Sequence, residues 1–261
     1  MGIFIVDKPL GLTSHDVVAR ARRLLNTRRV GHAGTLDPLA TGVLVVLSDG
    51  ATKLSPFLTA SRKSYLAWVS FGAATATLDA EPPISHQADA SNLHVDDITA
   101  KLDTFLSLTQ QQPPAFSAIK KGGQKSYDAA RRGESLELPP RDVSYYAVNL
   151  LGWANSLEQL PHTFAQDDKG NWHTSNNISA QWQIKTLPDT LGTFPTALCY
   201  VDVQAGTYIR AFARDLGEAV GVPAHLSGLV RVQAGRANIT EAVTLEQLDS
   251  NHANTAVSLR A

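Results

Sequence analysis

The stretch that decides the fold and chemistry of this chain reads Gly31-His32-Ala33-Gly34-Thr35-Leu36-Asp37-Pro38-Leu39-Ala40-Thr41-Gly42-Val43-Leu44. A single carboxylate, that of Asp37, stands among glycines, a proline and small residues, between a basic segment and an apolar run. Glycine permits close approach of the backbone to a ligand, and proline restricts the chain beside the carboxylate. An Asp-Pro pair alone is typical of a turn. The whole run predicts a loop that holds one carboxylate at a fixed angle.

Length and composition are those of an ordinary globular protein. The chain has 261 residues, 43% of them hydrophobic and 18% charged, which corresponds to one large domain or two small ones. No apolar run reaches the roughly 18 residues that a membrane helix needs, and the N-terminus lacks the layout of a signal peptide. The single cysteine, Cys199, excludes an internal disulfide and a cysteine-based zinc site, and we therefore expect a reducing cytoplasm.

Charge is segregated along the chain, although the net charge is only −1. Residues 17–36 contain five arginines and no acid, and residues 120–132 contain five cations and one acid. Residues 79–103, in contrast, contain six acids and one lysine. Such segregation is typical of a surface that follows a phosphate backbone, and it also occurs on ordinary solvated helix faces.

Hydrophobic periodicity predicts a mixture of strands and helices. The expected strands cover residues 3–6, 43–47, 65–71 and 198–203, and the expected helices cover about 14–25, 98–106 and 207–220. Segment 151–195 is rich in polar runs and is predicted to be mostly loop. We therefore predict an α+β fold, with a mixed, mostly antiparallel central sheet flanked by helices and loops.

Several segments, in a constant order along nearly the whole chain, resemble the TruB family of tRNA pseudouridine synthases. Besides the opening run, they are residues 7–14, 50–53, 63–65, 71–72, 75–79, 112–120, 206–210, 215–217 and 224–226. The resemblance implies the pseudouridine synthase fold and the isomerisation of one uridine of tRNA, at position 55 in the T-loop, to pseudouridine. The base leaves C1′ through nitrogen and returns through carbon, so the reaction has no redox step and implies no cofactor and no metal.

The resemblance assigns catalytic roles to three residues. Asp37 matches the family's catalytic aspartate, a nucleophile, and Arg210 matches the arginine that pairs with it and keeps it ionised. Tyr65 matches the tyrosine that stacks on the target base, and a part in removing the C5 proton is a further expectation. A carboxylate is a competent nucleophile toward an anomeric carbon. Attack at C1′, attack at C6 and prior departure of the base remain open.

Four more residues are expected to bind the substrate. His32 matches the histidine that helps to turn the target nucleotide out of its loop, a step that costs a few kcal/mol. Tyr208 and Leu229 match residues that wall the uracil pocket, and Lys8 lies in the first matching segment. Taken as isolated residues, Leu229 and Tyr65 are more typical of a hydrophobic core.

A larger set of basic residues is predicted to contact the RNA backbone. The set consists of Arg20, Arg23, Arg28, Arg29, Lys120, Lys121, Lys125, Arg131, Arg132 and Arg231. Five of these residues, from Lys120 to Arg132, lie in a segment of about residues 110–140 that resembles the family's RNA-clasping insertion. The implied partner is the T-arm stem-loop of tRNA, bound by a monomer without an obligate protein partner and away from membranes.

The chain also departs from the family pattern. Val203 stands where the family motif usually has a cysteine, so no function is expected of Cys199. The predicted catalytic domain covers residues 1–250 and is followed by a short tail, 251–261, without the C-terminal PUA domain of many relatives. Two other functions are weighed: a tRNA-folding chaperone of the same fold without catalysis, and a glycosidase. A glycosidase usually needs a second carboxylate, which no motif places near Asp37.

Overall fold

The computed structural model describes residues 2–117, 119–122, 124–134, 136, 138–174, 182–183 and 191–248. The strands are β1 (Gly2–Lys8), β2 (Val30–Ala33), β3 (Ala40–Ser48), β4 (Lys63–Phe71), β5 (Ala73–Thr75), β6 (Ile84–Gln87), β7 (Gln110–Gln111), β8 (Lys120–Lys121), β9 (Gln124–Lys125), β10 (Arg141–Asp142), β11 (Tyr145–Ala154), β12 (Thr163–Gln166), β13 (Trp172–Thr174), β14 (Trp182–Gln183), β15 (Thr196–Val203), β16 (Ala224–Ala234) and β17 (Ala237–Asn238). The α-helices are α1 (Ser14–Leu24), α2 (Ser55–Thr59), α3 (Val95–Leu102), α4 (Ser126–Arg131) and α5 (Ile209–Val220), and 3₁₀ helices cover Asp49–Leu54, Asp103–Ser107, Leu157–Gln159 and Ile239–Glu241.

The chain divides into two units, Met1–Leu66 with Leu229–Ala261 and Ala67–Gly228. In the first unit, strands are hydrogen-bonded in the order β1-β3-β16-β4, β2 pairs with β3, and β17 pairs with β16. Strands β1 and β3 are antiparallel, whereas β16 runs parallel to β3. The sheet is therefore mixed, as the sequence predicts.

Helix α1 packs on the sheet of the first unit through one apolar face. Thr13 caps the helix in a reciprocal capping box with Asp16, which satisfies backbone donors that the first turn leaves unpaired. Val17, Val18 and Ala21 follow at helical spacing and are buried. They join a core that also contains Phe4, Val6, Val30, Leu44, Val46, Leu245 and Leu248.

In the second unit, strands follow the order β16-β4-β15-β11, and β11 is antiparallel to β15. Aromatic rings join helix α5 to this unit's core, because Phe212 lies 4.8 Å from Phe105 and 6.0 Å from Tyr145 between ring centroids. Gly221 adopts the left-handed conformation, with φ of +81°, and ends the helix. The helix predicted over about residues 207–220 is therefore present and ends where expected.

Segment 151–195 contains more strand than the polar sequence suggests. Strands β13, β12 and β14 form an antiparallel sheet, anchored by the fully buried Phe164, whose ring meets that of Trp68 edge-on at 6.1 Å. The sequence did not predict these strands, although much of the described part of the segment lies outside strands and helices. Residues 175–181 and 184–190 of this segment, and the predicted tail 251–261, lie outside the described residues.

The remaining predicted elements are present with wider bounds. The strands expected at 3–6, 43–47, 65–71 and 198–203 correspond to β1, β3, β4 and β15. The run from Gly31 to Thr41 is only partly loop, because β2 extends to Ala33 and β3 begins at Ala40. In the part of the chain that the structure describes, no helix has the length and apolar character needed to cross a membrane. The α+β class with a mixed sheet and packed helices is confirmed.

Candidate active site

The loop between β2 and β3 carries Asp37, which is half-buried. Gly34 at the start of this loop and Gly42, the third residue of β3, both lie in the left-handed region, with φ of +84° and +90°. A Cβ atom at Gly42 would lie only 2.3 Å from the carbonyl oxygen of Arg231. The loop therefore requires glycine at position 42 for conformation and for space.

Helix α1 and the segment before it fix the middle of the same loop. The Ser14 hydroxyl accepts a hydrogen bond from Leu36 N at 2.8 Å and donates to the Leu36 carbonyl at 3.1 Å. The amide of Gly11 donates to the Pro38 carbonyl at 2.9 Å. These bonds hold the backbone on both sides of Asp37, so its carboxylate projects from an ordered loop.

Arg231 clamps the start of the loop to strand β3. Its side chain is 1% exposed, and its guanidinium donates to the carbonyls of Val43 (2.7 Å), Gly34 (3.0 Å) and Thr35 (3.3 Å). The guanidinium is thus buried and its donors serve protein carbonyls, and the predicted contact between Arg231 and the RNA backbone stays a prediction.

Lys8 is also a buried cation with a structural role. Its ammonium donates to the carbonyls of Pro9 (3.0 Å) and Leu12 (2.5 Å), and the residue has no exposed surface. Burial lowers the pKa of Lys8 to about 8, against the opposing effect of the negative charge of Asp37. Lys8 is enclosed and holds the segment before α1, and the prediction that it touches the substrate stays a prediction.

A third buried cation, Lys63, lies near the same clamp. Its ammonium donates to the carbonyls of Thr59 (2.7 Å) and Ser61. Burial, together with the positive charge of Arg231, lowers the pKa of Lys63 to about 8. A Cβ atom added to Gly34 would lie 3.5 Å from Lys63 Cε, so this lysine packs directly against the loop.

His32 lies in β2, just before the loop. Its ring meets that of His15 edge-on, with 5.5 Å between centroids. Burial lowers the pKa of His32, and the positive charges of His15 and Arg231 add to this effect, so the neutral imidazole is favoured. Its Nδ1 atom is buried and has no hydrogen-bond partner within the described residues. A neutral, flat ring with an available nitrogen can brace or hydrogen-bond an RNA group.

The first unit also holds Tyr65 and Leu229, which are 7% and 8% exposed. Tyr65 lies in β4 and Leu229 lies in β16, opposite Ala40 in the parallel pairing with β3. Both residues are mostly buried, as expected of residues that line a narrow pocket or a core. Their predicted contacts with uracil stay predictions.

In the second unit, Tyr208 and Arg210 lie at the start of α5. Tyr208 is the N-cap residue, and Arg210, 8% exposed, donates to the carbonyls of Thr77 (2.8 Å) and Phe116 (2.9 Å). These bonds restrict the guanidinium to one orientation, which suits a group that must meet a carboxylate in fixed geometry. The predicted pairing of Arg210 with Asp37 stays a prediction.

The other predicted RNA-binding residues differ in their surroundings. Those of the first unit, Arg20, Arg23, Arg28 and Arg29, are exposed. In the second unit, Arg132 forms an exposed two-point ion pair with Glu134, and Arg131 lies over the Tyr127 ring at 4.6 Å. The side chains of Lys120, Lys121 and Lys125 lie outside the described part of the structure.

Sequence reasoning missed the residues that hold the loop. A charged residue in the apolar strand sequence Leu229-Val230-Arg231-Val232 is a signal that it is buried with partners, and it could have identified the clamp. Nothing in the sequence indicates the hydrogen bonds of Ser14 to Leu36.

No group of three or more His, Cys, Asp or Glu side chains among the described residues is arranged to hold a metal ion. The thiol of Cys199 is buried, and burial raises its pKa to about 12. Such a thiol is a poor nucleophile and a poor ligand at neutral pH, in agreement with the absence of a predicted function.

Comparison with known families assigns the class. The sequence model described as "TruB family pseudouridylate synthase (N terminal domain)" matches residues 22–167. A second, "tRNA pseudouridylate synthase B C-terminal domain", matches residues 210–260. With the mixed α+β fold and the ordered Asp37 loop, these matches place the chain in the class of pseudouridylate synthases.

The sequences of individual relatives match this chain over most of their own length. Proteins named "tRNA pseudouridine synthase B" are 52% identical in Deinococcus radiodurans (95% of this chain, 78% of the relative), 51% identical in Thermus thermophilus (97% and 79%) and 39% identical in Mycobacterium tuberculosis (95% and 71%). The chain belongs to the TruB family.

Solved structures share the fold. One, titled "Crystal Structure of a Cbf5-Nop10-Gar1 Complex", is similar with a TM-score of 0.61 and 26% identity over 95% of this chain. Another, "Structure of H/ACA RNP bound to a substrate RNA containing 2'-deoxyuridine", has a TM-score of 0.56 and 24% identity. This chain spans about half the length of those chains, 53% and 52%.

Proposed function

We propose that this protein isomerises a uridine of tRNA, at position 55 in the T-loop, to pseudouridine, with Asp37 as the nucleophile. Membership of the family and the names of relatives at 39–52% identity support the reaction and its tRNA substrate. The observation that carries the role of Asp37 is the loop, whose backbone is fixed at Gly34, Leu36 and Pro38 by bonds from separate parts of the first unit.

The proposed reaction needs little besides a positioned carboxylate. The N1–C1′ bond breaks, the base turns, a C5–C1′ bond forms, N1 gains a proton and C5 loses one. Electrons and atoms balance within the nucleoside, so the step needs no external oxidant or reductant. A fixed carboxylate contributes by orientation, since correct placement of reacting groups removes much of an activation barrier.

The other site residues take supporting roles in the proposal. Arg210 is the ion-pair partner of Asp37, on the basis of the sequence resemblance, and its two bonds to carbonyl oxygens support a fixed orientation. Tyr65 stacks on the target base, and Tyr208 and Leu229 complete the uracil pocket. His32, with its neutral ring, helps to hold the nucleotide outside the RNA stack.

The proposal extends to the surroundings in which the protein works. Its partner is the T-arm stem-loop of tRNA, and it acts as a monomer in the cytoplasm. Light scattering on purified protein, alone and with T-arm RNA, tests the stoichiometry: one protein per RNA is expected, whereas a dimer would contradict this part.

Substitution of Asp37 by Asn tests the catalytic role. The change keeps the size of the side chain and removes its charge, so we expect no pseudouridine in a T-arm stem-loop RNA while binding of that RNA remains. The matched control is Asp168→Asn at an exposed position, which should retain full activity. Pseudouridine is measured by nucleoside chromatography after digestion of the RNA.

Other results of this experiment would overturn the proposal. Full activity of the Asp37→Asn protein would remove Asp37 from catalysis. Free uracil as the product would replace isomerisation by glycosidic cleavage. RNA refolding by a wild-type protein that forms no pseudouridine would favour a chaperone.

A further inference from the structure

Helix α5 begins without the cap that its own sequence would normally supply. Tyr208 is the N-cap residue, and its side chain makes no capping hydrogen bond. In a capping box, a Glu or Gln three residues later reaches back to the N-cap amide, but Ala211 occupies that position. The amide of Tyr208 therefore needs an acceptor from elsewhere.

Gln111, from strand β7, is that acceptor. Its Oε1 atom accepts a hydrogen bond from Tyr208 N at 2.9 Å, and the residue is 3% exposed. A buried amide–carbonyl bond across 97 residues of chain fixes where the first turn of α5 begins. That turn carries both Tyr208 and Arg210.

The other end of the Gln111 side chain is also engaged, which fixes the orientation of its amide. Nε2 donates to the Tyr145 hydroxyl at 2.9 Å, and the carboxyl group of Asp215 lies near enough to Gln111 for the two groups to interact. Burial raises the pKa of both Tyr145 and Asp215. Because the Tyr208 amide can only donate, Oε1 must face it, and Nε2 must face the two oxygen groups.

The segment that follows Gln111 holds the same helix through backbone carbonyls. Arg214 donates to the Gln112 carbonyl at 3.0 Å, and Arg210 donates to the Phe116 carbonyl at 2.9 Å. Gln111 is the side-chain member of this series of bonds between residues 111–116 and helix α5. Loss of its amide removes the bond nearest to Tyr208.

We propose that Gln111 is a positioning residue for catalysis, which sets the first turn of α5 and thereby the placement of Tyr208 and Arg210. The inference rests on the proposed function for its catalytic consequence, and on the hydrogen bonds of the second unit for its structural consequence. Gln111 acts through the first turn of α5, which carries Arg210, the proposed partner of the nucleophile, so we expect its effect on the rate of the chemical step.

The test compares Gln111→Met with Gln110→Met, a control at the adjacent exposed position of the same strand. For Gln111→Met we expect kcat for pseudouridine formation to fall by roughly 10- to 100-fold, with KM for T-arm RNA within about twofold of the wild type. The amide hydrogen of Tyr208 should exchange faster with deuterium. Gln110→Met should change neither quantity.

A second variant, Gln111→Glu, distinguishes positioning from general loss of folding. In its neutral form, the glutamic acid of this variant would accept a hydrogen bond from Tyr208 N and donate its one proton. In its ionised form it would have no proton to donate, and its negative charge would lie near the Asp215 carboxyl, which Arg214 contacts. We expect the kcat of this variant, relative to wild type, to rise as pH falls from about 8 to about 6. Thermal melting verifies that each variant is folded during the assay.

The outcomes separate this inference from the proposed function. Unchanged kcat for Gln111→Met, or a change in KM alone, overturns the positioning role while the wild type remains active. If the wild type forms no pseudouridine, the proposed function fails, and Tyr208 exchange decides the role of Gln111: faster exchange in Gln111→Met supports its hold on α5, and unchanged exchange refutes it.

Discussion

At the scale of single residues, the most consequential side chains of the first unit are buried cations rather than exposed ones. Arg231 donates to three backbone carbonyls and Lys8 to two. A buried carbonyl that loses its donor keeps its full desolvation cost, so removal of a partner is more harmful than the net strength of one hydrogen bond suggests. Arg231 therefore orders the start of the Asp37 loop, and Lys8 orders the segment before α1.

Arg231→Lys tests the clamp. A lysine keeps the charge but cannot reach all three carbonyls, so we expect the free energy of unfolding to fall by about 1–3 kcal/mol. The rate of pseudouridine formation should also fall, because the loop is less ordered. Urea denaturation measures the stability, and Arg20→Lys on the exposed face of α1 is the control. Equal stability of the two variants would contradict the clamp.

The pKa of Lys63 gives a prediction about pH. It is lowered from 10.5 to about 8 in the folded protein, so between these values the unfolded chain binds a proton that the folded chain does not. The free energy of unfolding therefore gains a favourable contribution as pH rises through this window. Lys63→Met lacks that gain, so the stability of the variant relative to wild type should decrease from pH 8 to pH 10.

Urea denaturation at several pH values measures this difference, in which titrations common to both proteins cancel. Lys53→Met, at an exposed position, is the control and should show a difference that is constant with pH. A constant difference for Lys63→Met as well would mean that Lys63 titrates normally in the folded protein.

At the scale of elements, the first residues of strand β3 require a residue without a side chain at position 42. Gly42 pairs with Lys8 on one side and with Arg231 on the other, and a Cβ atom there meets backbone. Gly11 has a similar positive φ, +77°, but has nothing within 4 Å of an added Cβ. A substitution at Gly11 therefore introduces conformational strain alone, whereas a substitution at Gly42 introduces both conformational strain and steric crowding.

The comparison of Gly42→Ala with Gly11→Ala uses this difference. Both variants place alanine in the left-handed region, but only the first forces Cβ against the β16 backbone. We expect Gly42→Ala to lose about 1–3 kcal/mol more stability than Gly11→Ala, the usual cost of overpacking. Thermal and urea unfolding measure both losses, and equal losses would show that β16 yields without cost.

The sequence predicts an element well when the interactions that form it lie within that element, and poorly when they involve residues far away in the chain. Helix α1 was predictable because Thr13, Asp16 and the spacing of Val17 and Ala21 act within one helix. The strands of segment 151–195 were not predicted, because Phe164 packs on Trp68, a residue far away in sequence. Tertiary contacts of this kind leave no local periodicity.

The same difference between local and long-range interactions applies to the candidate site. Asp37 and His32 could be proposed as site residues because their motif is contiguous, whereas Ser14 and Gln111 act on residues 22 and 97 positions away. The sequence gives the charge of Arg231 but not its burial. Long-range hydrogen bonds are set by the fold, and a single sequence carries no direct sign of them.

At the scale of the whole molecule, positive charge is concentrated although the net charge is −1. The arginines at positions 20, 23, 28 and 29 are exposed. Such a cluster attracts a polyanion by releasing its counterions, and the attraction weakens as salt increases. A nearly neutral protein can therefore bind RNA through one surface without a general affinity for nucleic acid.

The salt dependence of RNA binding measures the number of phosphate contacts. We expect the logarithm of the association constant to fall linearly with the logarithm of salt concentration, and each arginine of this cluster changed to glutamine to reduce the slope by about 1 if it contacts a phosphate. Lys101→Gln and Lys169→Gln, at exposed positions elsewhere, are the controls. An unchanged slope after all four arginines are replaced would exclude the cluster from binding.

The loop of Asp37, tied to Ser14, Gly11 and Arg231, has a thermodynamic consequence for catalysis. The loop loses its conformational entropy when the chain folds, so RNA binding requires little further ordering of the loop. Under the proposed function, the binding free energy of the tRNA is then available for extruding the target uridine from its stack. Mutations that loosen the loop should accordingly make association with RNA entropically more unfavourable, even when the carboxylate itself is untouched.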